Sequence, residues 1–200
     1  MQLRSSHPGY WNQPVLASGS RSSSLLIVGL APGKHGANKT GVPFTGDSSG
    51  ELLFKVLSRL GIDQQVRITN AVKCLPVQNK PSRIELRNCQ KFLALELAEH
   101  AGVHHSCANK KLPKKKFVVL ALGHVAHRSI LRSLGLRQNH FAFSHGAVHK
   151  IGDFGWLVDS YHCSRYNTQT GRLTEEMFLA AVTTAAYLSS LVPADQVLSL

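Results

Sequence analysis

Acidic side chains are scarce in this 200-residue chain. Eleven Asp and Glu stand against 23 Lys and Arg, a formal net charge of +12 with a pI of about 9.9. That deficit argues against an acidic or neutral surface and favours a polyanionic partner, because basic groups on nucleic acid release condensed counterions. Eleven histidines add positive charge below neutral pH. Long apolar runs are missing too. None reaches the roughly 20 residues that cross a bilayer, and the first residues hold no apolar signal core, so a cytoplasmic location and no membrane partner are expected. Cysteine is sparse. In a reducing compartment Cys74, Cys89, Cys107 and Cys163 are expected as thiols or metal ligands rather than disulfides. No internal repeat is present. The expected organisation is a Ser-rich extended lead-in over 1–23, one domain over 24–192 and a short tail over 193–200.

Apolar residues make up 43% of the chain, enough for a real core. Leu25-Leu26-Ile27-Val28 is a continuous apolar run before Gly29, as expected of a strand buried on both faces. Val66–Val72, Phe117–Leu122 and Trp156–Val158 are the next such runs. Helical patterns lie between and after them. Ser48 with Glu51 reads as a capping box before Leu52, Leu53, Val56, Leu57 and Leu60, ending at Gly61. Ser82 with Glu85 reads as a second, before Leu86, Cys89, Leu93 and Leu97. A third helix covers Gly123–Leu134, and Thr174 caps a last one through Met177, Phe178, Ala181 and Val182. Strand and helix alternate, so an α/β fold is expected, its parallel sheet covered by helices on both sides. Ligands then bind beyond the carboxyl ends of the strands.

Two loops at such ends carry chemistry. Gly29–Asp47 has five glycines in nineteen residues, which permits close approach of backbone and ligand. Gly33-x4-Asn38-Lys39-Thr40 nears a phosphate-cradling loop, but Asn38 stands where that loop needs glycine, and Gly41 and Pro43 stop any helix there. The G-x-G-x-x-G dinucleotide pattern is absent. What remains is one aromatic, Phe44, suited either to stacking on a flat ring or to anchoring the loop, and one carboxylate, Asp47, suited to capping the next helix, to acid–base work, or to both. The second loop, Tyr161–Thr174, is dense in hydrogen-bonding groups, and His162 stands where a donor can meet a developing anion. A third stretch, Lys110–Lys116, holds five lysines in seven residues. It reads as a solvated loop, with contact to DNA phosphates as the second reading.

Gly-Leu-Ala-Pro at 29–32, Asn-Lys-Thr-Gly at 38–41, Phe-Thr-Gly-Asp at 44–47, Asn70-Ala71-Val72-Lys73-Cys74, Asn79-Lys80-Pro81, Ala121-Leu122-Gly123, His145-Gly146 and Tyr161-His162 with Asn167-x-x-Thr170-Gly171-Arg172-Leu173-Thr174 occur in this order. No one of them is specific; the ordered set resembles the uracil-DNA glycosylase superfamily, and most closely its B-type (family 5), broad-specificity branch, a relative of the iron–sulfur A-type enzymes. The resemblance covers about Tyr10 to Val182. It implies a three-layer α/β/α sandwich around a four-stranded parallel sheet. It also implies a DNA repair enzyme that flips a deaminated base out of DNA, uracil or, by the branch's breadth, hypoxanthine or xanthine, and hydrolyses its N-glycosidic bond. The expected partner is double- or single-stranded DNA with a damaged base, met by a monomer.

By the same resemblance Gly29, Ala31, Pro32, Phe44 and Asn70 hold the base. Phe44 stacks on it, and the Asn70 amide offers a donor and an acceptor to its edge. His162 stabilises negative charge on the leaving base. The A-type enzymes carry an acid just after the first strand, where this chain has Leu30-Ala31-Pro32-Gly33. Asp47 is therefore expected to position water or stabilise the sugar cation. Ser164, Arg165, Asn167 and Arg172 are expected at the DNA, with Arg165 or Tyr166 as the wedge. No lysine matches a nucleophile position, which implies a monofunctional enzyme leaving an abasic site.

Cys74 and Cys89 match two of the four cysteines that hold a [4Fe–4S] cluster in relatives. No C-x-x-C pair precedes Gly29, so the sequence reads as short of the family's front end, and no complete cluster is expected as a cofactor. Cys107 and Cys163 do not match substitute ligands. Two other readings follow from the residues: a module that recognises lesions or ends without turnover, and a nucleotide-binding regulator, which fails on Asn38 and Pro43.

Overall fold

The computed structural model describes residues 6–102, 116–152 and 155–195. Cys107 and the lysine-rich stretch, Lys116 excepted, lie outside them. The four apolar runs form strands: Leu25–Gly29 (β2), Arg67–Asn70 (β3), Phe117–Leu122 (β4) and Gly155–Ser160 (β6). They pair in parallel in the order β3-β2-β4-β6. Two short antiparallel strands extend this centre, Ser18–Gly19 (β1) beside β3 and Val148–Ile151 (β5) beside β6. Among the described residues the sheet is therefore six-stranded and mixed, which corrects the four-stranded expectation at both edges. β1 is only two residues long and sits in polar sequence; β5 is mostly exposed, so neither makes an apolar run.

Each central strand is buried on both faces, as the runs require. Leu25 and Ile27 of β2 enter one core with Leu53, Val56 and Leu57 of helix Ser48–Arg59 (α2) and Phe178 and Val182 of helix Glu175–Leu188 (α6). Leu26 and Val28 point the other way. They meet Leu93 and Leu97 of helix Arg83–His100 (α3) and Ala126, Ile130 and Leu131 of helix His124–Ser133 (α4). Each of the larger side chains, Val, Leu, Ile or Phe, stabilises the fold by about 1.5–3 kcal/mol when fully buried. The result is the expected α/β/α layering.

Two of the expected caps are present. Ser82 and Glu85 form a complete capping box, and the Thr174 side chain accepts from the Met177 amide. At α2 the two readings separate: the cap expected of Asp47 is present, its Oδ1 accepting from the Gly50 amide at 3.0 Å, while the Ser48–Glu51 box is corrected, because Asp47 and not Ser48 is the N-cap. Ser48 is already helical there. A short helix, Ala37–Thr40 (α1), stops at Gly41 in the left-handed conformation, where the sequence placed a break.

The lead-in lies against the first loop. The Trp11 and Asn12 amides donate to the carbonyls of Lys39 and Asn38, the Val15 amide to that of Lys73, and the Tyr10 hydroxyl meets His35 Nδ1 at 3.0 Å. Among the described residues no helix is long and apolar enough to cross a membrane.

Candidate active site

The four parallel strands end at Gly29, Asn70, Leu122 and Ser160 on one edge of the sheet, and the loops leaving them enclose a pocket of about 420 Å³. Phe44, Asp47, Asn70 and His162 all line it, although they come from three separate stretches of chain. Phe44 is 6% exposed and adopts a positive φ of 55°, a conformation that costs energy for a bulky residue. Its ring lies nearly parallel to the His162 ring, at 27° and 6.1 Å between centroids. Gly29 makes this packing possible: a Cβ there would stand 2.5 Å from the Phe44 ring and 2.4 Å from Asn70 Oδ1. Phe44 thus anchors the loop and faces the pocket at once.

Asn70 is 2% exposed, and its side-chain oxygen has no hydrogen-bond partner among the described residues. A buried polar atom without a partner is costly unless a ligand or water meets it. The residue is held from behind: Lys73 Nζ donates to the Asn70 carbonyl at 2.8 Å and to Glu96 and Thr69 at 2.6 and 2.7 Å. Burial pushes the Lys73 pKa below its ordinary value, while Glu96 pulls it back up.

His162 follows β6. Its Nδ1 is buried and also has no partner among the described residues. Burial holds its pKa below the ordinary histidine value, against a smaller opposite pull from Asp47. Asp47 Oδ2 lies against Gly36 and Gly33, so tightly that a Cβ on Gly36 would stand 2.2 Å from it. One carboxylate oxygen therefore caps α2, while the other faces the glycine-rich loop.

The remaining predicted residues divide. Ala31 lines the pocket; Gly29 lies beneath it and buried Pro32 lines no part of it. Ser164, Asn167 and Arg172 line it as well. Ser164 caps the short helix Arg165–Gln169 (α5), and Asn167 Nδ2 donates to the His162 carbonyl at 2.8 Å, so both shape the His162 backbone. The Arg172 guanidinium stacks on Tyr161 at 4.6 Å. Arg165 does not line the pocket, and Tyr166 is 71% exposed beside it on α5.

The pocket also contains residues that sequence reasoning did not assign: Asn79, Gly123, His124, Phe143 and Tyr161. His145 stacks on Tyr161, 5.1 Å between centroids, and its Nδ1 accepts from the Tyr161 amide at 3.1 Å. That bond requires the proton on Nε2 in the neutral ring, in keeping with a pKa lowered by burial. His145 and Tyr161 stood in the ordered motifs without a role; nothing in the local pattern marked His124 or Phe143. Behind the wall Asp159, fully buried, is within 2.8 Å of His127 Nδ1 and 3.2 Å of His149 Nε2, tying β6 to α4 and β5.

Cys89 Sγ accepts from the Lys73 amide at 3.5 Å, next in sequence to exposed Cys74. Cys163 instead is fully buried, donates to the Ser49 carbonyl and has its pKa pushed up to about 12 by burial.

Comparison with known proteins adds the family. The uracil DNA glycosylase superfamily profile matches residues 16–186. A type-5 uracil-DNA glycosylase of Thermus thermophilus is 40% identical over 195 residues, covering 91% of this chain and 83% of its own. One of Pyrobaculum aerophilum is 37% identical over 192 residues, covering 88% and 77%. A type-4 uracil-DNA glycosylase of Archaeoglobus fulgidus matches at 36% over 81 residues, 40% of each chain.

Proposed function

The chain belongs to the uracil-DNA glycosylase superfamily, in its type-5 branch, and on that premise we propose that it excises uracil from DNA by hydrolysing the N-glycosidic bond. The observation that carries the residue roles is the gathering of Phe44, Asn70, Asp47 and His162 around one pocket, with two buried polar atoms, on Asn70 and His162, left without partners among the described residues. A flipped base supplies what those atoms lack. The base stacks on Phe44, and the Asn70 amide reads its carbonyl and N–H edge. Water bonds to the sugar C1′ as the C1′–N bond breaks, and the electron pair leaves with the base, which then takes a proton. A ring N–H of His162 stabilises the negative charge on the departing base, a contribution of about 3–4 kcal/mol for a single donor elsewhere. The Asp47 carboxylate supports the sugar cation and orients the water. No lysine lines the pocket among the described residues, in keeping with an abasic product and an uncut strand.

Incubating the protein with uracil-containing duplex, followed by alkali, tests this. Strand breaks that appear only after alkali are expected; binding without product would instead favour the lesion-recognising module. Hypoxanthine and xanthine are proposed as further substrates, to be ranked by the same assay. A cytoplasmic location is proposed, with double- or single-stranded DNA carrying the damaged base as partner, met by a single chain, since one chain's loops line the pocket. Cys74 and Cys89, which match half of a cluster's ligand set, are proposed to hold no complete [4Fe–4S] cluster, and no step above uses one. Iron and acid-labile sulfide assays on anaerobically purified protein test that reading, and a stoichiometric cluster would overturn it.

A further inference from the structure

A second groove, of about 580 Å³, runs between α3 and α4. It opens on the candidate active site, for His124 and Val125 line both. Its walls carry four arginines, Arg83 and Arg87 from α3 and Arg128 and Arg132 from α4. All four are exposed, and no carboxylate lines the groove among the described residues. The acids of α3 are engaged elsewhere. Glu85 accepts from the Ser82 amide, Glu96 holds Lys73, and Glu99 pairs with Arg67. α4 has no acidic residue at all.

This segregation does nothing for the fold. Arg83 with Arg87, and Arg128 with Arg132, are like charges one helical turn apart, a spacing that weakens a helix. None of the four forms an ion pair with an acidic side chain among the described residues. Arg128 is nevertheless aimed: its Nε donates to Gln138 Oε1 at 2.7 Å, which leaves the other guanidinium nitrogens available. Gln90 Nε2 donates to the Arg132 carbonyl at 3.2 Å and ties the two walls together. A braced groove of planar, bidentate donors suits phosphate oxygens.

We propose that the α3–α4 groove binds the sugar–phosphate backbone of DNA on one flank of the flipped nucleotide. This rests on the glycosylase reading for the position of the lesion, since the two cavities share a wall. The groove fixes which way the duplex runs from the pocket, carries no base readout, and contributes affinity that salt removes.

The test is equilibrium binding of fluorescently labelled duplex, with and without uracil, over a range of salt. The variants are Arg87→Gln/Arg128→Gln and the charge-preserving Arg87→Lys/Arg128→Lys. Losing two phosphate contacts is expected to flatten the slope of log K against log salt by about 1.8, whereas the lysine pair keeps most of it. Phosphate ethylation interference should lose its signal on one flank of the lesion only. Excision of uracil by the glutamine pair should be slower than wild type at low DNA concentration and match it when the DNA concentration is raised. An unchanged slope and affinity in the glutamine pair would overturn the proposal, as would a loss of signal on both flanks. The two readings separate cleanly. A wild-type chain that excises nothing but whose slope depends on these arginines with undamaged duplex keeps the groove and loses the glycosylase. A chain that excises uracil with an unchanged slope does the reverse.

Discussion

At Asp47 the two carboxylate oxygens face different surroundings, and substitution can separate them. Asn caps a helix about as well as Asp, so Asp47→Asn should keep α2 and lose the negative charge beside the pocket. The expected result is a melting temperature close to wild type with a large fall in single-turnover excision; a near wild-type rate would remove Asp47 from the chemistry. Asp47→Ala should in addition lose about 1 kcal/mol of stability through the missing cap. His162 makes a prediction about pH. Its pKa in the folded protein is lowered by burial, so the folded state keeps it neutral at a pH where the unfolded chain has already taken up the proton. Above the ordinary value of 6.5 both states are neutral and the residue adds no pH dependence. As pH falls from there towards the lowered folded value, stability is lost. NMR titration of the side chain should find it neutral at pH 6.5, and a mostly protonated ring at that pH would contradict the burial argument.

At the scale of elements, the pocket depends on how strand ends are held. β3 delivers Asn70, and the strand end is fixed to α3 by Lys73, whose side chain is 4% exposed and whose ammonium bridges the Asn70 carbonyl, Thr69 and Glu96. Removing one partner of a buried pair leaves the other uncompensated, at a cost of about 3–5 kcal/mol. Lys73→Ala is therefore expected to lower stability by that order in urea denaturation. Replacing Lys73 and Glu96 together by apolar residues should recover much of the loss, while excision stays impaired because the Asn70 carbonyl has lost its anchor. Equal stability in the single variant would show that water takes over the pair.

For the whole molecule, the excess of basic over acidic residues acts as a field rather than as a set of contacts. Binding to undamaged duplex should weaken steeply with salt, by about 0.9 in the logarithmic slope for each phosphate neutralised. A slope near zero would mean that the charge serves solubility alone. The two cavities make the field directional: the arginine groove meets the candidate active site at His124 and Val125, so the duplex has a preferred path across the surface.

Local pattern by itself determined the four buried strands, the four long helices, two of their caps and the loops that face the ligand, because apolar period and capping act over a few residues. The ordered motifs singled out Phe44, Asp47, Asn70 and His162. Tertiary structure decided the rest. Whether Asp47 or Ser48 capped α2 depended on the path of the incoming loop. The short β1 and the mostly exposed β5 needed a neighbouring strand to exist at all. His145 reaches Tyr161, and Phe143 and His124 reach the pocket, only because β4 and β6 pair in parallel and end together. Arg87 and Arg128 share a groove because α3 and α4 pack on one face of the sheet. Such meetings are set by strand order and register, which join residues far apart in the chain and leave no local trace in its sequence.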